Sequence, residues 1–165
     1  MMSQAAAKLT PFNSPIETGV RALILLAESY PETLDLQRIL EFDYLMVHSG
    51  DVGGPPSLHP ALPLRSGELL VRRQLIERGI LLMISRGLID RVATGSGLSY
   101  QADDNAGPFL DALSADYLND LKLRAAWVIS TFGHMSNADI RSALSTIYDQ
   151  WTREFQMYER PGIEP

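Results

Sequence analysis

One stretch constrains this chain more than any other: Arg65–Arg91, RSGELLVRRQLIERGILLMISRGLIDR. Leu69, Ile76, Ile80, Met83 and Ile84 recur at the three- and four-residue spacing that aligns side chains on one helical face, while Leu70, Leu81 and Leu82 fall on other faces. A helix apolar on most of its circumference is usually buried between neighbours, so the second half of this helix is expected to be the axis of the core. Ser66 is placed to cap its start, Glu68 and Arg72 form a favourable i,i+4 pair, and Gly87 supplies the left-handed residue on which helices commonly stop. Beyond it, Leu88–Val92, a Gly95-Ser96-Gly97 turn and Leu98–Gln101 spell a β-hairpin. Long helix, glycine, strand, glycine turn and return strand is the order of a recognition-position helix followed by a wing.

Upstream, Ser14-Pro15-Ile16-Glu17 reads as a helix start: a serine cap, proline at the first helical position and glutamate closing a capping box. That helix is expected to run to about Tyr30. Thr33-Leu34 is a candidate short strand, and Asp35 is expected to cap a second helix from Leu36 to about His48, with Ile39, Leu40, Asp43, Tyr44 and Val47 on its face. Downstream, Pro108 opens a short helix, Ser114 caps a longer one with a Leu118, Leu121, Ala125, Val128, Phe132 stripe, and Gly133 ends it. Ser136 caps a last helix carrying Ile140, Leu144, Ile147, Trp151 and Phe155. The expected fold class is therefore mainly α with a small β-hairpin wing. Residues 1–11 read as a flexible tail, 12–102 as a winged-helix-like domain, 103–157 as a C-terminal helical extension packed on it, and 158–165 as a second tail.

Between the second and third helices lies HSGDVGGPPSLHPALPL, His48–Leu64, dense in proline and glycine and without a period. Seventeen residues is long for a loop in a compact domain, and such loops tend to be functional or disordered. Leu58, Leu62 and Leu64 suit a segment pinned to the body or one offering apolar anchors to a partner.

Charge narrows the choice of partner. The chain is −6 overall, yet residues 65–91 hold six arginines against three acidic side chains. Phosphate binding relies on Lys and Arg displacing counterions, so an acidic chain is a poor general nucleic-acid binder. The Arg65, Arg72, Arg73, Arg78 patch has three readings: a solvated face, docking to an acidic protein partner, or DNA readout. Readout is weakened because the wing tip, Thr94–Gly97, carries no basic residue. With no cysteine, disulfides and thiolate zinc sites are excluded, and a reducing cytoplasm suits the chain. The longest apolar runs, Ala22–Ala27 and Ile80–Ile84, are too short to span a bilayer.

No enzymatic constellation emerges. His48, Asp51 and His59 are the clustered metal-type ligands, but a glycine-proline loop gives no reason for them to converge on an ion. Ser49 beside His48 lacks the strand-turn-helix setting of a nucleophile, and Gly53-Gly54-Pro55-Pro56 lacks the lysine of a phosphate loop. Trp127 and Trp151 sit at apolar helical positions and read as core.

The pattern HSGD–GGP–SLHP–P–RSGELLVRR, with PFNSPIETGVRALILLAESYP before it, resembles the middle component 2 family of ABC-three-component systems, most closely over residues 11–91. The resemblance implies a bacterial conflict or anti-phage module in which an ABC ATPase related to SMC and Rad50 proteins, a small middle component and an effector act together. It implies a non-catalytic adaptor without cofactors, meeting DNA only within the complex. It also implies kinship with condensin accessory subunits built from winged helices. On this reading the partner-binding residues are His48, Asp51, Leu58, His59, Arg65, Glu68, Arg72 and Arg73, because the loop feeds directly into the arginine-rich end of the helix. The competing expectations are a winged-helix DNA-binding transcriptional regulator and, further off, a small hydrolase using His48 or His59.

Overall fold

The computed structural model describes residues 14–60, 68–146 and 149. Expectations for residues 1–11, Leu62, Leu64, Arg65, Ser66, Trp151, Phe155 and the 158–165 tail lie outside the described residues. Within them, six helices and one hairpin follow in order: α1 (Pro15–Ser29), α2 (Leu36–Val47), a 3-10 turn (Ser49–Val52), α3 (Glu68–Ser85), β1 (Ile89–Thr94), β2 (Gly97–Ala102), α4 (Ala106–Asp111), α5 (Asp116–Phe132) and α6 (Asn137–Ala143).

Local chemistry sets the ends of these elements. The Ser14 hydroxyl accepts from the Glu17 amide, and Pro15 occupies the first turn, where its missing N–H costs nothing. Asp35 caps α2 through the Arg38 amide at 2.7 Å, and Ser136 caps α6 through the Asp139 amide. Gly87 stops α3 at φ 70°, a conformation that a Cβ would strain. Two starts differ from expectation. α4 begins two residues before Pro108, which a first turn tolerates because its amides have no intrahelical partner. α5 begins with Ala115 at its cap and no side-chain cap bond; the Ser114 carbonyl instead accepts from the Asn119 side chain at 3.2 Å.

The hairpin is antiparallel in the register Ile89↔Ala102 to Thr94↔Gly97, closing on a two-residue Gly95-Ser96 turn. Leu34 forms a single bridge to Tyr100 on the far edge of β2, with backbone bonds of 3.0 and 2.8 Å. The candidate strand at Thr33-Leu34 is thus one bridge long.

The enclosed helix is α1 rather than α3. Every residue from Thr18 to Leu26 is buried, with α3, α5, α2, α4 and β2 packed around it. α3 buries Ile76, Ile80 and Met83 in the core, with Leu82 and Ile84 partly buried against it, while Leu81 is exposed. The crossing of α1 and α3 is close because glycine meets glycine: a Cβ on Gly79 would lie 2.5 Å from the Gly19 nitrogen. α5 contributes Leu121, Ala125 and Val128 to the same apolar cluster as Leu23, Leu26, Phe42 and Leu45, so the helices after the hairpin share the core of those before it. Each of these buried leucine, valine and phenylalanine side chains adds roughly 1.5–3 kcal/mol.

Candidate functional site

α2 turns the wrong residue inward. Asp43 stands among Ile39, Leu40, Phe42 and Val47, all buried, and its own side chain is 1% exposed. A carboxylate there demands compensation. α1 supplies it: Arg21 forks onto Asp43, Nε to Oδ1 at 2.7 Å and Nη2 to Oδ2 at 3.3 Å. α3 adds Arg72, whose Nη2 reaches Oδ2 at 2.8 Å while its guanidinium lies over the Tyr44 ring, 5.5 Å from the centroid. One carboxylate therefore ties three helices together and leaves one positive charge in excess.

The polar cluster extends into α5 and the loop. Tyr117 of α5 is hydrogen-bonded by Arg21, and its hydroxyl lies 2.6 Å from Nε2 of His59. His48 packs on Tyr44 with centroids 4.8 Å apart and meets His59 edge-on at 6.1 Å. The Tyr44 hydroxyl donates to Asp51 at 2.6 Å. These contacts fix the protonation states. Burial alone would raise Asp43, but Arg21 and Arg72 together hold its carboxyl below the usual range. Burial likewise disfavours the Arg21 charge, and Asp43 outweighs it, so Arg21 is raised; Arg72 is lowered, chiefly by burial. Burial, then Arg21, pushes His59 down to about 4, and burial followed by Arg72 lowers His48. Burial and the Asp51 bond raise Tyr44. Both imidazoles are accordingly neutral at pH 7.

The His48–Pro60 segment is bolted down. The Ser49 hydroxyl donates to the Pro55 carbonyl at 2.7 Å, and the Leu58 and His59 amides share the Val47 carbonyl at 3.0 Å each. Arg124 of α5 bonds the Pro56 carbonyl through Nε and Nη2, and Gly54 packs against Trp127.

Among the eight residues expected to meet a partner, the structure thus makes distinctions. His48 and His59 are buried, Leu58 is half-buried against the core, and Arg72 keeps 22% of its side chain exposed while bonded to Asp43. Asp51 and Arg73 are at the surface, Arg73 in a loose 3.5 Å pair with Glu77. Arg65 and the Glu68 side chain lie outside what is described. Sequence reasoning passed over Arg21 and Tyr117, and it put Asp43 on the face of the second helix without giving it a role. A detectable signal existed: an arginine and an aspartate, each inside an apolar helical run, are expected to find one another. Among the described residues, no group of three or more His, Cys, Asp or Glu side chains could hold a metal ion.

The sequence matches the model of the ABC-three component (ABC-3C) system Middle Component 2 family over residues 11–154. The chain belongs to that family. The match spans all six helices and the hairpin, so the polar cluster, the bolted loop and the α3 outer face are all parts of a middle component 2 fold. No curated protein and no solved structure matches the chain. No helix among the described residues is long and apolar enough to cross a membrane.

Proposed function

We propose that this middle component is the non-catalytic adaptor of its three-component system, coupling an SMC/Rad50-like ABC ATPase to an effector in cytoplasmic defence against phage. The observation that carries the reading is the family match over nearly the whole chain. A docking surface on the bolted loop and the Arg72–Arg73 part of α3 is supported by Tyr44, which packs on His48 and lies under the Arg72 guanidinium. Buried His48 and His59 and half-buried Arg72 would set its shape, and Asp51 and Arg73 are exposed beside them. A loop held by two helices is preorganised, which lowers the ordering cost of binding.

Co-purification with the ATPase component tests this. Arg73→Glu and Asp51→Lys should each weaken retention, because rim charges tune association. Full retention in the double variant would remove this surface from the reading. Arg72 is a poor probe, since reversing it would set two carboxylates together in the interior. The order of α1, the Leu34 bridge, α2, α3 and the hairpin supports a second reading, a winged-helix DNA-binding regulator. A salt-dependent shift of duplex DNA by the isolated chain would favour that reading.

A further inference from the structure

α3 carries apolar side chains on two sides, and α1 covers only one of them. Ile76, Ile80 and Met83 are buried, whereas Val71 and Leu81 keep 55% and 51% of their surface in solvent. Val71, Gln74, Arg78, Leu81 and Ser85 follow one another in three- and four-residue steps, so they form one stripe along the outside of the helix, and all five are exposed. A lone exposed leucine needs no explanation. Two large apolar side chains framing a guanidinium on one stripe of a helix whose other side is core describe a rod that, among the described residues, lacks a second neighbour. Among the described residues Arg78 has no ion-pair partner.

We infer that a helix of one of the two partner proteins, apolar along its contact and acidic at its centre, docks on this stripe. The acidic centre follows from Arg78, the exposed guanidinium at the middle of the stripe, which has no ion-pair partner among the described residues. A second copy fits badly, because two-fold packing about the middle of the stripe sets Arg78 against Arg78. Duplex DNA fits badly too, since the stripe offers it one guanidinium between a valine and a leucine. The inference rests on the adaptor reading, which requires two docking faces. The stripe lies about a third of a turn around α3 from Arg73, so both faces can be engaged at once.

The test is co-expression of the full chain with the other two components of its system. Leu81→Asp and Arg78→Glu alter exposed side chains, and Leu123→Asp, at an exposed leucine of α5, is the control. Each stripe variant should fold as the wild type does and lower recovery of one component by about tenfold or more while the other is retained; the control should keep both. Undiminished recovery of both components overturns the inference. So does a melting temperature of isolated Leu81→Asp well below that of Leu123→Asp, which would mean that a segment of this chain covers the stripe. Loss of a dimer in Arg78→Glu, or loss of duplex-DNA binding with protein recovery unchanged, also overturns it. A wild-type chain that recovers neither component overturns the adaptor reading itself, and that failure shows before any variant is made.

Discussion

Asp43 is where the energetics concentrate. A carboxylate inside three helices is tolerable only while Arg21 and Arg72 are bonded to it, and the two guanidinium groups are tolerable only while it is charged. Asp43→Asn keeps the shape, removes the charge, and should cost about 3–5 kcal/mol in urea unfolding. Acid should act on the same cluster. His59 titrates at about 4 in the fold against 6.5 ordinarily, so between these values the unfolded chain holds the extra proton. Stability should therefore fall as pH drops from about 6.5 to about 4, by on the order of 3 kcal/mol from this residue, with His48 adding in the same direction. Asp43, held low, contributes stability above its ordinary value of 3.8, which is lost on further acidification. Unfolding free energies at pH 7 and pH 4.5 check this: His59→Gln should flatten the difference, and an unchanged slope would count against a neutral buried imidazole.

At the scale of elements, the α1–α3 crossing decides the architecture. Gly19 and Gly79 let the two backbones approach so closely that a Cβ on either meets main-chain atoms of the other, 2.7 Å from the Gly79 oxygen or 2.5 Å from the Gly19 nitrogen. Thr18 adds a bond across the crossing to the Leu75 carbonyl at 3.2 Å. Backbone cannot step aside as a side chain can. Gly79→Ala should destabilise by about 2 kcal/mol or more, although alanine is the better helix former. Gly95→Ala in the hairpin turn, where φ is not positive and a Cβ meets nothing within 4 Å, should change stability by no more than about 1 kcal/mol. Urea midpoints of the two variants separate the crossing geometry from the general effect of replacing a glycine.

For the molecule as a whole, capping chemistry was the legible part. Ser14, Asp35, Ser136 and Gly87 act where their residue types and neighbours place them, because a cap is a contact within four residues. Mostly helical architecture with a single hairpin followed from periodicity for the same local reason. What stayed hidden depends on which helix faces which. α1 proved to be the enclosed helix because five elements surround it, a fact that no window of sequence contains, and that Arg21 in its middle meets Asp43 depends on α2 lying opposite. Leu81 shows the converse: its apolarity suggested burial, yet among the described residues nothing covers that side.

The adaptor reading makes its sharpest claim about assembly. With the ATPase component tagged and captured from cells expressing the whole system, the effector should be recovered only when this middle component is present. Gly79→Ala, by loosening the α1–α3 frame, should lower that recovery together with thermal stability. Equal recovery of effector with and without this chain would contradict the account.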